Sequence, residues 1–161
     1  MQSFFENHPQ LFRLWEYRNV YPQVILTRDD DGELIPDFLL TDPELQRAMI
    51  LDLKLPCKTI AVGSKDRRRL SAPVMEAKAQ LTAYRNWFAE KSNRAKVKEK
   101  YGLEIYQPRL AVVIGRRRDF TNEVDRQHIV SQHPDLEVMT YDDVLEFAKR
   151  RLLLIQNASR V

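Results

Sequence analysis

The 161-residue chain has one cysteine, Cys57, only four glycines, and a formal net charge of just +3. A single cysteine excludes an internal disulfide and a cysteine-based zinc cluster, and it suits a reducing compartment. The three histidines, His8, His128 and His133, show no helical i, i+4 spacing with a partner acid, so no histidine metal motif is present. There is no apolar run of about 18 residues to cross a bilayer. The opening MQSFFENHPQ lacks the basic flank and apolar centre of a secretion signal. The expectation is a soluble, cytoplasmic protein with no membrane partner.

At 43% hydrophobic, the sequence has enough apolar material for a real core, and its length suits one domain spanning residues 1–161. The low net charge conceals clustering. Cations gather in KDRRR (65–69), KSNRAKVKEK (91–100), RRR (116–118) and KRR (149–151), and acids in RDDDGE and YDDVLE. Such clusters are either the footprint of a phosphate backbone or solvated faces and turns.

Phe4, Phe5, Leu11, Phe12 and Trp15 mark a short helix ending near His8 and a second turn beyond Pro9, which a helix interior does not tolerate. YPQVILTRDDDGELIPDFLL reads as strand, turn at Asp31 and Gly32, and strand. MILDLKL is the next strand, ended or edged by Pro56. After a basic loop, Ser71 is the expected N-cap of a helix from Ala72 to about Glu90, with an apolar stripe of Val74, Ala77, Leu81, Tyr84 and Phe88. A charged connector leads to RLAVVIG (109–115), a continuous apolar run that reads as a buried strand. A helix near Asn122 to Gln132, the strand LEVMTY and an amphipathic closing helix YDDVLEFAKRRLLLIQ complete an α/β fold, a mixed central sheet flanked by helices.

IPDFLLTDPELQRAMILDLK (35–54) places Asp37, Asp52 and Lys54 in otherwise apolar strands. Strand alternation puts Ile50, Asp52 and Lys54 on one face and Leu51, Leu53 and Leu55 on the other. Unpaired carboxylates in a low-dielectric interior are costly. The cost falls if the pair binds Mg²⁺ or Mn²⁺, hard cations held by one or two carboxylates with water and phosphate oxygens. Such an ion suits hydrolysis of a phosphodiester, with Lys54 orienting water and stabilising developing negative charge.

Pro36-Asp37 followed by Asp52-Leu53-Lys54 resembles the PD-(D/E)XK nuclease motif. AQLTAY, with Gln80 and Tyr84, is similar to the QxxxY helix motif of some such nucleases. VVIGR and LEVMTYDDVLEFAK resemble the C-terminal part of the Shedu anti-phage defence nuclease domain, and the likeness runs from FFENHPQLF to YDDVLEFAKRR. The resemblance implies a restriction-endonuclease-like core and a Mg²⁺-dependent DNA endonuclease acting in bacterial anti-phage defence. It further implies a homo-oligomer and the C-terminal part of a longer protein with a variable N-terminal region. Asp37 and Asp52 would be metal ligands, and Asp37, Asp52, Lys54 and Gln80 the catalytic set. Asp52 departs from the family's usual Glu and is one methylene shorter. A further acid, common on the first helix of related nucleases, is represented only by Glu6 or lies upstream of Met1.

Each residue also has a plainer reading. Asp37 can be a turn acid after Pro36, Asp52 and Lys54 an ion pair on a solvated face, Gln80 an exposed helix residue, and Tyr84 a core aromatic. Candidate nucleic-acid contacts are Arg67, Arg68, Arg69, Tyr84 and Arg116, the last able to serve a phosphate or a neighbouring subunit. The resemblance, together with the broad apolar run RLLLIQ, implies a homo-oligomer of even order. The competing function is a catalytically degenerate DNA-binding or oligomerisation module on the same fold.

Overall fold

The computed structural model describes residues 2–9, 11–12, 17–28, 32–64 and 67–158. Trp15, Asp31, Lys65 and Asp66, and the side chains of Arg151, Leu154 and Ile155, lie outside the described residues.

The centre is a five-stranded sheet built from β1 (Asn19–Pro22), β4 (Phe38–Asp42), β5 (Arg47–Leu53), β8 (Arg109–Val113) and β9 (Leu136–Met139), in that spatial order. The first three strands pair antiparallel and β5, β8 and β9 pair parallel. The sheet is therefore mixed, with β5 at the junction between the two halves. Two short hairpins stand outside it, β2 (Leu26–Thr27) with β3 (Glu33–Leu34) and β6 (Ala61–Val62) with β7 (Arg69–Leu70).

Strand alternation builds two apolar layers. Leu39, Ile50, Leu110, Val112, Leu136 and Val138 share a core with helix α2 (Ala72–Trp87), and helix α4 (Glu123–Ser131) adds Ile129. Phe38, Leu40, Met49, Leu51, Ala111 and Val113 form the opposite core, with Phe5 of helix α1 (Gln2–Asn7), Phe12, Tyr17 and Val144 of helix α5 (Tyr141–Ala158). Neighbouring residues along each strand thus enter different layers, as the two-residue period requires.

α2 buries Val74, Ala77, Leu81 and Tyr84, four of the five stripe residues, and Phe88 is buried at its C-cap. Ser71 does occupy the N-cap position, but its hydroxyl donates to the Thr59 carbonyl at 2.5 Å and makes no cap hydrogen bond. At α4, Asn122 is the cap and accepts from the Asp125 N–H. The charged connector is in fact a helix, α3 (Lys91–Tyr101), ended by Gly102 at φ +69°. Its good helix formers, Lys, Arg, Ala and Glu, account for the conformation, and Val97 is its one buried residue among those described. The short β6–β7 pair in the basic loop also departs from the loop expected there.

The first hairpin is interrupted in the middle. β1 pairs with β4 and β2 with β3, but residues 23–25 and 35–37 leave the ladder. Pro36 has no N–H to donate, and Gln23 turns the opposite chain at φ +49°. One bond spans the break, from Gln23 N–H to the Asp37 carbonyl at 3.1 Å. Asp37 lies at this interruption, one residue before Phe38 opens β4.

Candidate active site

The register of the β4–β5 ladder determines which residues meet at its open end. Phe38 faces Leu51, Leu39 faces Ile50, and each further pair keeps the same offset. One step past Phe38, that offset sets Asp37 opposite Asp52. Residues directly opposed in an antiparallel pair stand about 4.5–5.5 Å apart at Cα, and the two carboxylates are near enough for Asp52 to act on Asp37 electrostatically.

Asp37 is half-buried and its Oδ2 accepts the Leu53 N–H at 2.7 Å. The N–H groups along β5 alternate between its two neighbours. That of Lys54 goes to Val113 O on the β8 side at 2.9 Å, so that of Leu53 faces the side where β4 has already ended. The Asp37 carboxylate supplies the acceptor that β4 no longer offers. Burial raises the Asp37 carboxyl above its ordinary range; the Leu53 hydrogen bond and Lys54 draw it back, while Asp52 and Glu6 push it further up.

Asp52 is only 4% exposed. Lys54 Nζ lies 3.2 Å from its Oδ1 and 3.0 Å from its Oδ2. The Oδ2 contact lacks hydrogen-bond geometry, which leaves this buried oxygen without a hydrogen-bond partner. The structure thus makes Asp52 and Lys54 face-mates, as alternation predicts. β5 stops at Leu53, so Leu55, assigned to the opposite face, is 51% exposed beyond the strand.

α2 closes the third side. Gln80 Oε1 is 3.5 Å from Lys54 Nζ, and Gln80 Nε2 donates to the Tyr84 hydroxyl at 2.6 Å. That hydroxyl in turn reaches the Ile35 carbonyl at 3.4 Å, tying α2 to the segment that carries Asp37. Burial raises the Tyr84 hydroxyl pKa, Gln80 opposes the rise, and Asp52 and Asp37 add to it. Asp52, Lys54, Gln80 and Tyr84 therefore form one chain of polar contacts beside Asp37, although Tyr84 is buried at 4% and offers little surface to a ligand.

The donor set suits a hard divalent cation of the Mg²⁺ type. It consists of two carboxylates, one with a buried oxygen lacking a hydrogen-bond partner, and such an ion completes its shell with water and substrate oxygens. Glu6 on α1 is close enough to act on Asp37 electrostatically. Among the described residues, however, no group of three His, Cys, Asp or Glu side chains converges on a metal position.

The cationic candidates divide. Arg67 and Arg69 are exposed. Arg68 is engaged by the Asp119 carbonyl at 2.7 Å and by Asp125 at 3.0 Å. Arg116 makes a bidentate pair with Asp142, at 2.6 and 3.0 Å. A wide groove lies at the other end of β5, between the β4–β5 turn and α3. Two of its cations are also occupied, Arg94 by the Phe88 and Ala89 carbonyls and Lys98 by Glu104.

Two features escaped the sequence reading. Tyr141, the first residue of α5, donates its hydroxyl to the Lys54 carbonyl at 2.7 Å. Burial raises its pKa, and Asp37 and Asp52 raise it further. The second is Asp143, which binds Arg117, Arg126, and the N–H and hydroxyl of Thr140. A YDD run at a helix start signals only favourable acids near the helix N-terminus.

No helix among the described residues is long and apolar enough to cross a membrane. No curated protein matches the chain. The family model described as Shedu protein SduA, C-terminal, matches residues 1–145, and the chain belongs to that family.

Proposed function

We propose that this chain is a metal-dependent DNA endonuclease domain of the PD-(D/E)XK type. The observation that carries this reading is the opposition of Asp37 and Asp52 across the end of the β4–β5 ladder, with Lys54 Nζ 3.0 Å from Asp52. Family membership links the chain to anti-phage defence, where cleavage of invading DNA is a direct way to act.

Asp37 and Asp52 would hold Mg²⁺ or Mn²⁺. When bound, the ion supplies Lewis acidity toward a phosphate oxygen and makes a water more acidic. The chain's own groups do the rest. Lys54 presents a fixed positive charge at the mouth of the carboxylate pair, placed to orient a water and to offset charge developing on the phosphate. Gln80 limits the reach of that ammonium from the α2 side and offers an amide to the substrate. Exposed Arg67 and Arg69 are the available phosphate contacts of the predicted set, and Arg68 and Arg116 would have to leave acidic partners to join them. Binding read by such groups is electrostatic and tolerant of sequence.

The domain would act as the C-terminal part of a longer cytoplasmic protein and as an oligomer of even order. The test is incubation of linear and supercoiled DNA with Mg²⁺, Mn²⁺ or chelator, with Asp37→Asn in parallel. Metal-dependent cutting by the parent, absent in the variant, is the expected result. Equal cutting by both assigns the activity to another site. DNA binding without cutting under any metal favours a degenerate binding module.

A further inference from the structure

Lys54 is the first residue past the end of β5, where the sheet no longer defines the backbone. Both of its main-chain polar groups are nonetheless engaged. Its N–H donates to Val113 O at 2.9 Å, and its carbonyl accepts the Tyr141 hydroxyl at 2.7 Å. Tyr141 is itself anchored. Its N–H donates to Gly115 O at 3.2 Å, Gly115 N–H donates to Leu55 O at 3.3 Å, and its ring lies 6.3 Å from that of Phe5. A closed circuit of hydrogen bonds therefore joins the start of α5, the end of β8 and the two residues that follow β5.

The circuit matters because of the length of the lysine side chain. Lys54 carries its ammonium on a flexible four-carbon stem, so a small rotation of its peptide moves the charge away from Asp52 and Gln80. Only two residues on, Pro56 has no N–H to help hold the segment. We infer that Tyr141 is a positioning residue that, through the Lys54 carbonyl, aims the Lys54 ammonium at the carboxylate pair. This inference rests on the nuclease reading only for its catalytic consequence; the ordering of Lys54 is a separate observable.

Tyr141→Phe removes the hydroxyl and keeps the ring against Phe5, so the fold is retained. Tyr101→Phe is the matched control, since the Tyr101 hydroxyl also bonds a backbone group, accepting the Ile25 N–H at 3.2 Å, but holds the chain elsewhere than at Lys54. Two readouts are taken on parent and variants: steady-state cleavage of DNA with Mg²⁺, and NMR of the Lys54 ε-methylene, assigned with Lys54→Arg. Tyr141→Phe is expected to lower kcat at least tenfold with KM within twofold, and to collapse the dispersed Lys54 signals toward free-lysine positions. Tyr101→Phe is expected to leave both at the parent's values, with a comparable loss in Tm. Either readout remaining in Tyr141→Phe at the level of Tyr101→Phe overturns the inference while leaving a cleaving parent a nuclease. If the parent does not cut, the nuclease reading fails and the NMR comparison alone decides whether Tyr141 orders Lys54.

Discussion

Asp37 and Asp52 stand one step beyond Phe38 and Leu51, the last pair of the β4–β5 ladder, and the Asp37 carboxylate is fixed there by the Leu53 N–H at 2.7 Å. The same side chain therefore has a structural and a chemical role, which different substitutions can separate.

Asparagine keeps an oxygen for the Leu53 N–H and removes the charge. Asp37→Asn is expected to fold, to hold or gain stability without metal, and to lose cleavage by at least about a hundredfold. The pH dependence gives the sign. The Asp37 pKa is raised in the folded state, so above its ordinary value of 3.8 the native protein binds more protons than the unfolded one. Parent stability then falls as pH rises from there through the folded pKa. The Tm advantage of Asp37→Asn should be present at pH 7 and shrink toward pH 3.8. Asp37→Ala, in contrast, leaves the Leu53 N–H without an acceptor and should cost about 1–3 kcal/mol in denaturant unfolding.

Lys54 and Asp52 separate in another way. Lys54→Ala removes a charge acting mainly in the transition state, and a drop in kcat of at least about a hundredfold is expected with DNA binding in chelator unchanged. Asp52→Asn should lose cleavage similarly and diminish the rise in Tm on adding Mn²⁺, because that rise follows native-state affinity. Asp52→Glu adds a methylene at a position 4% exposed. It should retain or increase cleavage while costing up to about 1–3 kcal/mol of stability through overpacking. Single-turnover cleavage and thermal unfolding with and without Mn²⁺ check all three.

Much of this site was legible in the sequence because strand alternation is a strict rule. Asp52 and Lys54 had to share a face, and the helical stripe from Val74 to Phe88 fixed which side of α2 is buried. Position 37 was legible as an exception, an acid after a proline, but its opposition to Asp52 depends on the β4–β5 register. α3 escaped because a helix with one buried contact has almost no apolar period to read. Tyr141 and Asp143 escaped because their partners, at Lys54, Arg117 and Arg126, lie far along the chain or across a loop. Arg68 and Arg116 read as candidate contacts because charge alone is visible in a sequence, and the acids that engage them are not.

Asp143 offers a prediction independent of catalysis. Burial alone raises its pKa. The Thr140 N–H, Arg117, Arg126 and the Thr140 hydroxyl outweigh that effect, and the carboxyl titrates at about 2 instead of 3.8. Its folded pKa is depressed, so its contribution is complete above 3.8 and is lost as pH falls toward 2. The shift corresponds to about 2 kcal/mol. Asp143→Asn should lower stability at pH 7 by up to about that amount, chiefly because Arg126, the more buried of the two arginines, loses its charged partner. The difference from the parent should narrow between pH 4 and pH 2, roughly the window set by the two pKa values, as read by urea unfolding at each pH.

The last prediction concerns α5. Leu145 and Leu152 are seven residues apart, two helical turns, so they lie on one face, and they are 51% and 56% exposed. Leu153 beside them is 58% exposed. Exposed leucines scattered singly need no explanation, but leucines recurring on one helix face are what an interface between copies buries. A twofold contact would place the same strip of two copies against each other and give an even-order oligomer. The double variant Leu145→Glu with Leu152→Glu should therefore fold normally, because neither side chain belongs to the core, yet run as a smaller species than the parent in light scattering at micromolar concentration. A parent already monomeric under those conditions, or a variant of unchanged mass, removes this face of α5 from the assembly.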